Sequence, residues 1–233
     1  MDIGIIGSGN IGSTLAKQFK VLGHKVSIAN SRGPATLSTV AAETGATAVT
    51  VEQAALAKDL IIISIPQIAV PRLPLSILRS SPAVIVDTGN YYPTRDGAIQ
   101  EIDNGLAESQ WVASVLGRPV VKAFNNIVAN SLATRGTAAG DPRRICLSVA
   151  GDDIGAKKIV QDLMRDLGFD AIDAGSLADS WRQQPGTPAY CKDFDIETLE
   201  AALAQASARE IESYRKTADD QAAPYLVPAP KQS

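Results

Sequence analysis

The chain opens on an apolar run that empties into glycine: Ile3-Gly4-Ile5-Ile6-Gly7-Ser8-Gly9-Asn10-Ile11-Gly12. Glycines at this spacing, after a strand-like run and before a helical pattern, leave few choices of fold. Gly7 permits a tight turn, Gly9 lets the backbone approach a pyrophosphate, and Gly12 lets helix and strand pack closely, while free amides at the helix N-terminus face the anion. Ile11, Leu15, Phe19 and Leu22 recur at helical spacing behind the glycines, and Lys25 to Ala29 offers the next short strand. The pattern predicts a dinucleotide-binding unit with Gly7, Ser8, Gly9, Asn10, Ile11 and Gly12 at the cofactor.

The end of that second strand says which dinucleotide. It reads Ala29-Asn30-Ser31-Arg32-Gly33-Pro34, and no Asp or Glu occurs between Asp2 and Glu43, whereas Lys17, Lys20, Lys25 and Arg32 all fall there. A carboxylate at this place selects NAD through the ribose hydroxyls and would repel a 2′-phosphate; a guanidinium aided by a serine hydroxyl clamps one. NADP(H) is the expected cofactor, with Asn30 at the ribose and Ser31 and Arg32 at the phosphate.

Strand signals then alternate with helices, as in a parallel sheet. Thr47 to Val51, Asp59 to Ile65, Ala83 to Asp87 and Val120 to Phe124 are the further strands. The Ile-rich fourth lacks polar alternation, as a strand covered on both faces should. Their carboxyl ends bring Ile65, Pro66, Gln67, Asn90 and Asn125 to the cofactor edge. The fold class expected is α/β, a Rossmann-type doubly wound, mainly parallel sheet with a small C-terminal loop and helix extension. Residues 1–175 form the NADP-binding domain, its sheet extended by Arg144 to Ala150 and Phe169 to Asp173, with a helix from Ile154 to Leu167 between them that Gly168 stops. Residues 176–233 hold a loop from Trp181 to Cys191, then one helix from Ile196 to Lys216 capped by Asp195, its apolar stripe being Ile196, Leu199, Leu203 and Ile211. Pro224, Pro228 and Pro230 mark an extended or disordered tail.

Composition narrows the chemistry. With 233 residues and 45% apolar content the chain can bury a substantial core. A net charge of −3 without a basic stripe gives no reason for a nucleic-acid partner. No run approaches the roughly 18 apolar residues of a membrane span, and a strand rather than a signal peptide begins the chain, so a cytoplasmic protein is expected. Cys146 and Cys191 suit neither a disulfide framework nor a metal cluster and are expected to stay reduced; no metal site is predicted. The single histidine, His24, sits between the first helix and second strand, opposite the ligand edge, and reads as structural. Imidazole acid–base chemistry, Ser-His-Asp triads and histidine metal sites drop out together.

The remaining candidates flank the nicotinamide end. Asn125 or Asn126 would orient a carboxamide or substrate oxygen, or form a local turn. Lys122 would donate a proton to a carbonyl or imine, its amine activated by burial, or lie packed at a strand end with its charge solvated. Tyr91 or Tyr92 would stack on the nicotinamide and donate a hydroxyl proton, or pack in the core. Arg95 would bind an acidic group or lie solvated. Trp181, Arg182 and Tyr190 would form a lid over the pocket or the contact of a homodimer.

These pieces resemble the NADP-dependent oxidoreductases related to the NADPH:coenzyme F-420 reductases, a domain also found in ferric-reducing membrane proteins. The likeness is carried by Gly7-Ser8-Gly9-Asn10-Ile11-Gly12, Leu22-Gly23-His24, Asn30-Ser31-Arg32, Lys122-Ala123-Phe124-Asn125-Asn126, Ala150-Gly151-Asp152-Asp153 and Asp173-Ala174-Gly175-Ser176-Leu177. The resemblance implies an enzyme that transfers hydride between NADP, held by the glycine loop with Ser31 and Arg32, and C5 of a deazaflavin, coenzyme F-420. Transfer between two preformed cofactors depends on positioning and needs little side-chain acid–base chemistry. After residue 180 the chain departs from the family pattern. A flavin acceptor, a small carbonyl or imine substrate protonated by Lys122 or Tyr92, and a non-enzymatic NADPH-sensing module therefore stand as alternatives.

Overall fold

The computed structural model describes residues 1–226. Six parallel strands form one sheet in the order β3-β2-β1-β4-β5-β6: β1 (Asp2–Ile6), β2 (Lys25–Ala29), β3 (Thr47–Ala48), β4 (Leu60–Ile63), β5 (Val84–Asp87) and β6 (Val121–Lys122). The order reverses between β1 and β4, and an open sheet binds its ligand in the crevice at such a point. The first helix, α1 (Asn10–Val21), turns Gly12, Leu15, Ala16 and Phe19 onto the sheet, the three-and-four spacing of a single buried face.

Strand alternation divides the core into two layers. Ile3, Ile5, Leu60 and Ile62 pack under α1 with Leu15 and Phe19, while Ile6, Ile61, Ile63 and Ile85 pack on the opposite face with Leu78, Val112 and Leu116. β4 is buried along its whole length, which explains its unbroken apolar sequence. The expected third strand is shorter than its sequence signal, because Thr50 caps a helical turn at Val51–Ala54 through a reciprocal bond with Gln53.

β7 (Cys146–Val149) and β8 (Asp170–Asp173), expected to extend the main sheet, instead form a separate parallel pair. A single antiparallel bridge, Lys122 to Ala150, is where this pair meets β6. Their apolar side chains still join the α1-side core: Leu147, Val149 and Phe169 pack in the same cluster as Ile3. β6 cannot run on as a ladder because Phe124 has φ 59, which swings the chain out of the sheet.

The C-terminal helix is two helices. Asp195 caps Ile196–Gln205 by accepting from the Thr198 amide at 2.9 Å, but the chain breaks at Ala206 and resumes as Ile211–Ala222. Pro224 lies in a further 3-10 turn, Ala223–Tyr225, rather than in an extended tail; Pro228 and Pro230 lie outside the described residues. No helix among the described residues is long and apolar enough to cross a membrane.

Candidate active site

At the carboxyl ends of β1, β2 and β4 lies an open cleft of about 670 Å³. Gly7, Ser8 and Gly9 form its floor, Asn30, Ser31 and Arg32 one wall, and Ile65, Pro66 and Ile68 the other. The glycines divide their labour. A side chain at Gly7 would strike the Ser64 carbonyl, and one at Gly12 the Gly7 carbonyl, so both let backbone pack on backbone; at Gly9 nothing lies within 4 Å, leaving that face to a ligand. α1 begins at Gly9 with no side-chain cap and no acidic residue in its first turn. Its leading amides are unpaired donors that face an anion. Asn10, Ile11 and Gly12 belong to this first turn. Asn30 shapes the loop after β2, its carboxamide accepting from the Arg32 amide at 3.0 Å and donating to Thr36 Oγ1 at 3.0 Å.

The cleft is not free of acid, as the sequence between Asp2 and Glu43 suggested. Glu52 reaches its rim from the turn after β3. Hydrogen bonding to its own amide and to Thr50 holds its carboxyl below the usual range, so it stays charged. Arg72, which no local motif announced, lines the same space, as does Arg95.

The other end of the crevice is covered. Asn90, Tyr92 and Asn125, expected beside the nicotinamide, do not line the open cleft but join a hydrogen-bonded layer closed by residues 177–191. Asn125 Nδ2 donates to Asn90 Oδ1 at 3.1 Å and to the Gln183 carbonyl at 2.7 Å, while Gln183 Nε2 donates back to Asn125 Oδ1 at 2.9 Å. Asn90 Nδ2 donates to the Asn125 carbonyl at 3.1 Å and to the Tyr190 hydroxyl at 3.2 Å. Tyr190 and Tyr92 share a hydroxyl contact of 2.7 Å. Burial raises the pKa of both phenols, so both are protonated donors at neutral pH. Gln67 is fully buried against Gly89 with both amide atoms unpartnered, and Gln183 Oε1 is likewise unsatisfied. Each unmade bond of this kind costs about 1–3 kcal/mol, which makes these amides places for a ligand or water to bind.

Lys122 is not a solvated strand-end lysine, and its amine does not reach the cleft. It is fully buried beneath the Gly89–Tyr91 loop, where Nζ donates to the Gly89 carbonyl and lies 3.6 Å from Asp87 and 3.7 Å from Glu108. Desolvation pushes the Glu108 carboxyl up to about 7 against the opposing pull of Lys122. Ser109 and the Gly89 amide bond Asp87 at 2.6 Å and 2.8 Å, completing a structural network that supports the loop.

Other candidates resolve similarly. Tyr91 is core: its hydroxyl donates to Gly97 at 2.9 Å, and burial lifts it to about 12. Arg95 has one edge bound to Asp96, at 3.1 and 2.8 Å, and also reaches the Asn90 carbonyl. Asn126 turns inward to Ser148 at 3.1 Å. Trp181 stacks on Arg182 at 4.5 Å, and Arg182 bonds the carbonyls of Leu203 and Ala206, so this pair ties the covering segment to its own helix. Burial raises both thiols, Cys146 to about 12, which keeps them protonated. His24 packs edge-on against Phe19 at 5.9 Å.

Residues 2–91, which hold the glycine turn, the Arg32 loop and the strands flanking the cleft, match the family model described as NADP oxidoreductase, coenzyme F420-dependent. The chain belongs to this family. The crystal structure of hypothetical protein SMa0349 from Sinorhizobium meliloti is 32% identical; the match covers 83% of this chain and 95% of that one, with a TM-score of 0.68. A structure from Arthrobacter sp. FB24, provisionally named an F420-dependent NADP-reductase, is 24% identical over 77% of this chain and 87% of its own, with a TM-score of 0.65. The protein YjhV of Escherichia coli (strain K12) is 45% identical over 60 residues, 26% of this chain and 44% of that protein, so the match spans less than half of that relative.

Proposed function

We propose that the chain holds NADP(H) in the open cleft and passes hydride to a deazaflavin-type or flavin-type acceptor at the covered end. The observation that carries this reading is the uncapped start of α1 behind Gly9, facing a cleft whose wall bears Arg32. The residues suit the cofactor: free amides for a pyrophosphate, Asn30 and Ser31 for the ribose and its phosphate, and Ile65 and Pro66 for the apolar ring faces. At the covered end, the unsatisfied Gln67 amide, Asn90 and Asn125 would orient a nicotinamide carboxamide. When bound, the cofactor supplies the hydride; the chain supplies position and excludes water. An acceptor that is itself a redox cofactor fits best, because Lys122 is committed to Asp87 and Glu108. Residues 177–191 must shift for such an acceptor to enter.

A second reading rests on the Tyr92–Tyr190 pair. Two protonated phenols 2.7 Å apart could deliver a proton to a small carbonyl or imine, with Tyr92 as the donor. The test is NADPH oxidation followed against coenzyme F420, flavins, quinones, ferric chelates and small carbonyls and imines. Turnover with F420 or flavin that survives Tyr92→Phe with modest loss supports the first reading. Turnover confined to carbonyls or imines, falling roughly 100-fold in Tyr92→Phe, supports the second. NADPH binding without oxidation by any acceptor overturns both in favour of a cofactor-sensing module.

A further inference from the structure

The arginines of this chain separate into two groups. Nine of the twelve are engaged within the described residues: Arg79, Arg118, Arg144, Arg182 and Arg215 bond backbone carbonyls, and Arg95, Arg135, Arg143 and Arg165 pair with carboxylates. No side-chain partner holds Arg32, Arg72 or Arg209 among the described residues. Two of these three guanidiniums, Arg32 and Arg72, line the open cleft at the carboxyl ends of the strands.

Their origins place them on opposite walls. Arg32 follows β2, on one side of the β1 glycine floor; Arg72 ends the 3-10 turn Gln67–Arg72 that follows β4, on the other. Anything lying over the glycine turn passes between them. Arg95 shares the cleft, but Asp96 occupies one edge of its guanidinium and neutralises it. Glu52 on the rim opposes a purely anionic ligand. A single exposed guanidinium facing that carboxylate holds a dianion weakly, whereas two give a net positive site at the point of contact.

We propose that Arg72 is a specificity-determining residue: with Arg32 it forms a two-sided clamp on the 2′-phosphate, and selection of NADP over NAD depends on both. This rests on the placement of NADP(H) in the cleft and extends it to a residue 40 positions away in sequence from the phosphate loop. Both side chains are exposed, so neither is needed for the core.

The test measures binding by calorimetry, without turnover, for NADPH and NADH and for the fragments 2′,5′-ADP and 5′-ADP. The proteins are wild type, Arg72→Gln, Arg72→Lys and Arg32→Gln. Arg72→Gln should weaken NADPH and 2′,5′-ADP about tenfold while leaving NADH and 5′-ADP within about twofold, and Arg72→Lys should recover part of the loss. In 0.5 M salt the difference between wild type and Arg72→Gln should shrink, as screening removes the charge contribution. Equal loss for the phosphorylated and unphosphorylated ligands, or no loss at all, overturns the clamp. These outcomes separate from failure of the functional reading: there, wild type binds neither dinucleotide, whereas here Arg32→Gln discriminates and Arg72→Gln does not.

Discussion

The two ends of the crevice are built by different means. The open end is mostly local: one strand, one glycine turn and one helix start supply its floor, and Asn30, Ser31, Arg32, Ile65, Pro66 and Ile68 of its walls lie within a few positions of a strand end. The covered end is assembled at long range, with Asn90, Asn125 and the pair Gln183 and Tyr190 drawn from three separate stretches and locked by reciprocal hydrogen bonds. A site made of backbone binds what every member of a fold binds, whereas a site made of side chains from distant segments is free to specialise. The difference explains why a cofactor class is readable here and an acceptor is not.

Substitutions at the two ends should therefore fail differently. The largest effect belongs to Gly7→Ala, where φ is 120 and the new methyl strikes the Ser64 carbonyl. Calorimetry should show NADPH binding weakened at least about 100-fold, with a lower melting temperature. Intact binding would break the view that backbone packing sets the open end.

Next comes the support beneath the covered end. Because burial lifts Glu108 from 4.5 to about 7, between those values the folded chain holds a proton that the unfolded chain has lost. Stability should fall as pH rises through that window and level off above it, by up to roughly 3 kcal/mol. Urea unfolding at several pH values should show this slope in wild type and a flatter one in Glu108→Gln, which cannot titrate.

Gln183→Ala removes the side-chain bond to Asn125 Oδ1, leaving the backbone one, and should lower kcat about tenfold while the NADPH Kd stays within about twofold. A matching loss in Kd would mean that the two ends are not separable. The smallest effect is Glu52→Gln, which lifts a charge from the rim and should tighten NADPH about two- to threefold relative to NADH.

Much of the open end was legible because its signals are contiguous. Glycine spacing, the apolar run of β4 and the Asn30-Ser31-Arg32 loop each carry their meaning within a dozen residues. Glu52, Arg72 and Gln183 were not legible, since nothing in their neighbours tells where a turn after β3, a 3-10 segment or a C-terminal loop will land. Lys122 shows the limit most clearly. Its position at a strand end was readable, but Asp87 and Glu108, which decide its chemistry, come from β5 and the helix Glu108–Leu116. The separate β7–β8 pair was hidden too, because the left-handed backbone at Phe124 leaves no mark in composition.

That backbone has a counterpart. Cys191, with φ 51, is the other non-glycine residue at positive φ among the described residues, and its amide donates to Asn126 at 3.0 Å, two positions from Phe124. Such conformations cost about 1–3 kcal/mol each. The fastening thus works against two loaded springs that flank it. Any movement that lifts residues 177–191 must break the Cys191–Asn126 bond that joins the two.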